Sequence, residues 1–246
     1  MREINIYTKS IAYILFIIIA ITACKKAELK NEKMPIETGT VSDIQGHTYN
    51  TVKIGDQWWM SENLAVTVYN DSTPIIEVKS SDADSVWANK TIGAFCKVED
   101  NNMRYGLYYN WFAANSIKSL APIGWHIPSD DEWKTLEQEL GMNSSDIDKT
   151  AWRGTIERNK IIEKNSYAWS TSVDVPVGDN ESGFSAMTAG CRLFNGAAGE
   201  GKSAYWWTSS LNANEAWYRS ITSNHTNIFR YHTYKTYGFC IRCVKN

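Results

Sequence analysis

The sequence predicts an α+β fold, an antiparallel sheet with a few helices packed against it. Three observations support this. A capped amphipathic helix is encoded near the middle of the chain, strand-like segments separated by polar turns fill the last third, and two short strand-like segments joined by Gly55-Asp56 come before both.

The first 23 residues have the features of a secretory signal peptide. Arg2 and Lys9 precede a largely apolar run, Ile11–Ala23, which is shorter than the roughly 20 residues that span a bilayer. The run ends at Cys24 in the pattern of a bacterial lipoprotein cleavage site, so we expect Cys24 to carry the lipid that anchors the protein to a membrane. The alternative is a signal anchor with an incidental cysteine. Residues 24–40 are polar and predict a flexible tether.

The charge of the chain excludes one class of partner. It has 25 basic and 27 acidic residues, a formal net charge of −2, and therefore gives no electrostatic reason to expect binding to nucleic acid. Residues 41–246 are expected to form a single domain. Aromatic residues make up 13% of the chain and include 11 tryptophans, enough for a large core or a large binding face.

The central helix is predicted from its end signals. Ser129 is a favourable N-cap, and Glu132, three residues later, completes a capping box. Asp130 and Asp131 place negative charge at the positive end of the helix dipole, and we interpret them in that role. Gly141 lies where many helices end. The spacing of Trp133, Leu136 and Leu140 places their side chains on one apolar face of the helix.

Strand-like segments lie on both sides of this helix. The sequence predicts strands at Thr48–Ile54, Gln57–Met60 and Ala94–Val98, and a C-terminal meander of Ala204–Ser209, Glu215–Ile221, Asn227–His232 and Gly238–Val244. Tyr105–Asn115 is expected to be helical, with a strand as the alternative. A second short helix, capped by Ser145, is expected at Asp146–Arg153.

Five segments carry a resemblance to a known family. GWHIPSDDEW (124–133) resembles a segment of the Fibrobacter succinogenes major paralogous domain family. YNTVKIGDQWWMSENL (49–64), YGLYYNWFAA (105–114), AYWWTSS (204–210) and YGFCIRCVK (237–245) resemble other segments in the family's order. The resemblance covers residues 41–246 and implies a secreted or surface lipoprotein module, which we expect at the outer membrane of the cell envelope.

A weaker likeness connects the chain to C-type-lectin-like domains, including the formylglycine-generating type. Those domains also place a P-[ST]-x-x-EW helix before a tryptophan-rich sheet and end on a GF-x-RC strand. By this analogy the likeness implies a C-type-lectin-like fold.

Four cysteines remain besides Cys24, and an exported protein is expected to form disulfides. Cys240 and Cys243 are three residues apart on a predicted strand, so their side chains point to opposite faces and are expected in different bridges. Cys191 and Cys240 do not stand at usual cysteine positions of the family. That comparison implies the pairs Cys191–Cys240 and Cys96–Cys243, out of three possible pairings. A thiolate redox site at Cys240 and Cys243 is disfavoured, because such sites use a helix N-terminus.

The aromatic residues of the last strands provide the candidate binding site. Adjacent tryptophans on a strand point to opposite faces, so Trp206 and Trp207 both lie in a core only if both faces of the sheet are covered. Aromatic rings beside arginine and asparagine form the usual glycan site, while the competing interpretation places each ring in the core. The candidate ligand-binding residues are Trp207, Trp217, Tyr218, Arg219, Arg230 and Tyr231.

No catalytic residue, metal site or cofactor is predicted. The histidines lack ligand spacing, no pair of carboxylates is singled out, and nucleotide fingerprints are absent from the sequence. His126 is expected to bond a turn carbonyl through one ring nitrogen. We therefore expect a binding module without enzymatic activity, with glycans as its favoured ligands. The alternative is a structural or adhesive surface protein that contacts other proteins.

Overall fold

The computed structural model describes residues 35–79, 81–97, 103–164, 166, 169 and 178–246. Residues 36–246 form one compact unit. The expected signal peptide (1–23) and the lipidation site Cys24 lie outside the described residues. Among the described residues, no helix is long and apolar enough to cross a membrane.

The secondary structure is mostly short strands, with a few short helices between them. The strands are β1 (Thr38–Ser42), β2 (Thr48–Ile54), β3 (Gln57–Met60), β4 (Ile76–Glu77), β5 (Ala94–Lys97), β6 (Leu107–Asn110), β7 (Trp125–His126), β8 (Ala151–Arg153), β9 (Cys191–Leu193), β10 (Gly196–Ala198), β11 (Ser203–Asn212), β12 (Glu215–Thr222), β13 (Ile228–Thr233), β14 (Gly238–Phe239) and β15 (Val244–Lys245). The helices are α1 (Asp84–Ala88), α2 (Trp111–Ala114), α3 (Asp130–Glu139) and α4 (Glu157–Ile161), with a 3₁₀ turn at Met103–Tyr105.

The strands form three sheets. The first sheet has the order β1-β2-β3-β15-β7, the second β10-β9-β14-β6-β5-β4, and the third β11-β12-β13-β8. Within these sheets, each pair of neighbouring strands is antiparallel except β4 with β5. Isolated parallel bridges join Gly190 to Ala204 and Trp206 to Cys240. Antiparallel sheets with a few helices confirm the predicted α+β class.

The central helix α3 has the predicted ends. The Ser129 hydroxyl accepts from the Glu132 amide at 3.2 Å, and the Glu132 carboxylate accepts from the Ser129 amide at 2.7 Å, so the capping box is complete. Gly141 has a φ of +100°, a left-handed conformation that glycine adopts without steric cost and that stops the helix.

Several predicted elements differ from the observed ones. Tyr105–Asn115 contains both alternatives, since β6 runs directly into α2. The helix expected at Asp146–Arg153 is absent, because Ala151 has a φ of +64°, which a right-handed helix excludes, and its segment pairs as β8 with β13. The last predicted strand is split into β14 and β15, which belong to different sheets. β1 starts at Thr38, so the end of the expected tether belongs to the folded unit.

Two apolar clusters form the core, on the two faces of the third sheet. In the first cluster, Trp133 of α3 lies between Trp59 of β3 and Trp206 of β11, with ring centroids 5.0 and 5.8 Å from its own. In the second cluster, Trp207 of β11 packs on Phe239 of β14, with ring centroids 4.3 Å apart. Trp206 and Trp207 are both buried because both faces of the sheet are covered at β11.

The predicted disulfides Cys191–Cys240 and Cys96–Cys243 are not formed. All four cysteines are free and buried. Each predicted pair divides between the two core clusters, since Cys96 and Cys240 belong to the first and Cys191 and Cys243 to the second. The Cys191 thiol lies 3.5 Å from the Ala198 carbonyl oxygen and the Cys240 thiol 3.7 Å from that of Tyr105, distances at which a reduced sulfur donates a weak hydrogen bond.

Candidate functional site

The inner face of the third sheet, which packs on α3, carries buried charge instead of a ligand site. Arg219 of β12 donates to Asp130 at 2.7 Å and to Glu137 at 2.7 Å. Arg230 of β13 donates to both carboxylate oxygens of Asp130, at 3.0 and 2.7 Å, and Arg153 of β8 donates to both oxygens of Glu137, at 2.7 and 2.6 Å. These five side chains, the charge network, join α3 to three strands.

The charge network corrects two sequence-based expectations. Arg219 and Arg230 are 0% and 5% exposed, and their guanidinium groups are used by the network, so they do not form a ligand-binding surface. Asp130 places negative charge at the start of α3, as expected, and also accepts hydrogen bonds from Arg219 and Arg230 across the interface with the sheet. Burial acts to raise the pKa of Asp130, but hydrogen bonds and charges from Arg230 and Arg219 outweigh burial and hold that pKa well below its usual range.

Trp217 also lies on this inner face, at the edge where the face becomes half-exposed. The Arg230 guanidinium lies 3.8 Å from the centroid of its ring, a close cation–π contact, and His232 meets the ring edge-on at 5.1 Å. Trp217 therefore covers the charge network on the face opposite to that of Tyr218 and Tyr231. At the edge of the sheet the His232 ring also stacks on Tyr231, with ring centroids 4.6 Å apart.

Trp207 lies on the outer face but is fully buried. Its indole Nε1 donates to the Tyr109 carbonyl oxygen of β6 at 2.8 Å, and Phe239 covers its ring. The second sheet therefore occupies the surface that a ligand of Trp207 would need, which corrects its expected role.

The rest of the outer face is aromatic and partly open to solvent. Tyr218 of β12 lies 6.1 Å from Phe229 of β13, which lies 6.0 Å from Tyr231 of β13 and 4.9 Å from Trp152 of β8, measured between ring centroids. The four rings share one side of the sheet because Phe229 pairs with Trp152 and Tyr218 with Tyr231. We call them the aromatic face.

The aromatic face has hydrogen-bonding groups on and beside it. Tyr231 is 42% exposed, and Tyr218, Phe229 and Trp152 are half-buried. The His225 ring stacks on Trp152 at 3.8 Å, with 13° between the planes. Burial raises the pKa of Tyr218, so its hydroxyl stays protonated and remains able to donate and to accept. Of the six residues predicted to bind a ligand, Tyr218 and Tyr231 are brought together here.

Trp152 and Phe229 were not predicted. Phe229 could have been found, since it alternates with Tyr231 on a predicted strand and therefore shares its face. Trp152 could not have been found from the sequence, because the sequence favoured a helix there. The orientation of the Trp152 side chain depends on the pairing of β8 with β13, a strand far away in the chain.

His126 has a structural role, although not with the expected carbonyl. Its Nε2 bonds the Glu132 carboxylate of the capping box at 2.6 Å, and its Nδ1 bonds the Asn246 side-chain oxygen at 2.6 Å. Across the part of the chain that the structure describes, no three histidine, cysteine or acidic side chains converge as a metal site would require.

Comparison with known proteins gives one match. The family model of the Fibrobacter succinogenes major domain matches residues 52–245 of the chain. That range contains every strand from β3 to β15 and all four helices. No curated protein and no solved structure matches the chain.

Proposed function

The chain belongs to the Fibrobacter succinogenes major domain family, and from that premise we propose that it is a lipid-anchored binding module of the cell envelope that recognises glycans and has no catalytic activity. The anchor is proposed at Cys24 and the location at the outer membrane. The anchor is supported by the basic start, the short apolar run and the cysteine at its end. The location is supported by the resemblance to a family of secreted or surface lipoprotein modules.

The observation that carries the glycan proposal is the aromatic face. Sugar rings present flat C–H surfaces to aromatic rings and hydroxyl groups to polar neighbours. Trp152, Phe229 and Tyr231 form a continuous row of rings, and the Tyr218 hydroxyl and the His225 ring supply polar groups beside it. A near-neutral chain suits a ligand that is recognised without strong charge.

We also propose the finer fold assignment, a C-type-lectin-like domain. Support comes from the order of the elements: the capped helix α3 precedes the tryptophan-rich strand β11, and the chain closes on GFCIRC around β14. An experimental structure whose strand connections differ from those of a C-type-lectin-like domain would refute the assignment.

Binding of the full-length chain to a glycan array tests the function. The chain is purified in a detergent without a sugar headgroup, because a glycoside detergent would compete. We expect Trp152→Ala and Tyr231→Ala each to weaken binding about tenfold, since each removes a central contact. Trp58→Ala is the matched control, because Trp58 is a half-buried tryptophan of the first sheet, outside the aromatic face.

Two results would refute the proposal. One is an array on which no glycan is bound above background by folded protein. The other is glycan binding that Trp152→Ala and Tyr231→Ala leave unchanged. If folded protein binds no glycan but captures a surface protein, and Tyr231→Ala abolishes the capture, the adhesive function replaces the one proposed.

A further inference from the structure

A polar pocket of about 520 Å³ opens between the start of β2, the segment after β3 and the segments around residues 104, 163 and 185. Its volume lies in the range of small-molecule sites. It shares no residue with the aromatic face. The lining residues that matter for recognition are His47, Asn50, Glu62, Arg104, Glu163 and Ser185.

His47 is held in one orientation. The buried Asp43 carboxylate accepts from His47 Nδ1 at 2.9 Å, from the Tyr49 hydroxyl at 2.7 Å and from the backbone amides of Gln45 and His47 at 2.9 and 3.0 Å. A carboxylate with these partners can only accept, so Nδ1 donates to it. Because His47 lines the pocket, its other ring nitrogen, Nε2, can form a hydrogen bond with a ligand there.

The two carboxylates of the pocket are also fixed in position. Glu62 accepts from the backbone amide of Asn50 at 2.8 Å and from its side-chain amide at 3.1 Å. Glu163 forms an ion pair with Arg104. Since both partners of each pair line the pocket, its wall carries both donors and acceptors.

Arg242 lies behind the pocket and balances its charge. It is 0% exposed, and its guanidinium donates to the Asn63 side-chain oxygen at 2.9 Å, to the Phe184 carbonyl and to the Ser185 carbonyl at 2.9 Å. Burial lowers the pKa of Arg242 to about 9, and the charges of Glu62 and Glu163 act in the opposite direction. The guanidinium is therefore charged at neutral pH.

We propose that this pocket binds one unit of a neutral polyhydroxylated ligand, a sugar. Two guanidinium groups, Arg104 and Arg242, balance the carboxylates of Glu62 and Glu163, so the site favours neither a cation nor an anion. Fixed acceptors and donors match the hydroxyl groups of a sugar, and the buried Ala65 and Met187 give the wall an apolar part for its C–H groups. The ligand is a free sugar or the terminal unit of a glycan, which have the same chemistry.

Saturation-transfer NMR on the full-length chain, in a detergent without a sugar headgroup, tests the proposal. The probes are neutral hexoses, their methyl glycosides, and the hexosamine and hexuronate of matching stereochemistry. We expect the neutral probes to bind and the charged ones to bind more weakly. Glu62→Gln and Arg104→Ala should each weaken binding about tenfold, because each removes a charged hydrogen-bonding group. Glu77→Gln, outside the pocket, should bind like the wild type.

The proposal is overturned if no neutral probe binds, if the hexosamine or hexuronate binds more tightly than the hexose, or if both pocket variants bind like the wild type while melting at the same temperature. Binding of the methyl glycosides supports a terminal unit of a glycan, and binding of the free hexose alone supports a free sugar. Trp152→Ala should leave sugar binding in the pocket unchanged. The proposals for the pocket and for the aromatic face are therefore tested independently of each other.

Discussion

Asp130 Oδ1 and Arg219 Nη1 lie 2.7 Å apart at the interface of α3 and β12, with Arg219 fully buried. Asp130 is the first residue of α3, so the same carboxylate lies at the helix start and fastens the helix to the third sheet. This pair and its neighbours, Arg230 and Glu137, explain why two arginines on a tryptophan-rich sheet are unavailable to a ligand.

Replacing Asp130 should strongly destabilise the fold. Asp130→Asn leaves Arg219 and Arg230 buried without their shared carboxylate, and breaking a buried pair in this way costs about 3–5 kcal/mol. Urea denaturation measures the change in the free energy of unfolding. The control is Asp131→Asn, because the Asp131 side chain is 89% exposed and its loss of charge should change that free energy by less than about 1 kcal/mol. An unchanged midpoint for Asp130→Asn would contradict the network's stabilising role.

Stability should fall in acid because of the same carboxylate. The folded-state pKa of Asp130 is depressed, so its contribution is fully present above the unfolded pKa of about 3.9 and is lost as the pH falls through the folded value. Urea midpoints at pH 7, 5 and 3 test this. The wild type should keep its stability between pH 7 and pH 5 and lose part of it by pH 3, with further loss below pH 3 as the pH approaches the depressed folded pKa of Asp130. Asp130→Asn should lose less between pH 5 and pH 3. Equal slopes for the two proteins would assign the acid sensitivity to other groups.

The cysteines should be reduced and unreactive in the native protein. Burial raises the pKa of the Cys96 and Cys191 thiols to about 12, and the pKa of Cys240 and Cys243 is raised as well, so few thiolates are available to an alkylating reagent. Iodoacetamide without reductant should label none of the four in native buffer and all four in urea. Peptide masses that show labelling in urea only after reduction would demonstrate disulfides.

The capping box should contribute measurably to stability. Ser129→Ala removes the hydroxyl that accepts from the Glu132 amide and should lower the free energy of unfolding by about 0.5–2 kcal/mol. Thr135→Ala on the same helix is a suitable control, because Thr135 is exposed. A loss for Thr135→Ala as large as that for Ser129→Ala would mean that the cap is not the cause.

Local signals in the sequence were sufficient for the elements that depend on near neighbours. The limits of α3 follow from Ser129, Glu132 and Gly141, and the strands β2, β3, β11, β12 and β13 follow from alternation and polar turns. The opposite orientations of Trp206 and Trp207 in β11 were also predicted correctly, because side-chain alternation is a property of the strand itself.

Contacts between distant segments were not predictable in the same way. Whether Trp207 is exposed depends on Phe239 of another sheet, and whether Cys96 meets Cys243 depends on the division of the core into two clusters. The pocket combines His47, Glu62, Arg104 and Glu163, which are separated by long stretches of chain. Nothing in their spacing reveals that they meet.

The position of β15 has a consequence for the order of events during synthesis. Val244 pairs with Trp59 of β3 on one side and with His126 of β7 on the other, so a segment made more than 100 residues after β7 lies in the interior of the first sheet. Until the ribosome has made that segment, β3 and β7 have no strand between them. The first sheet therefore stays incomplete, and open to chaperones or proteases, until residues 244–245 are available.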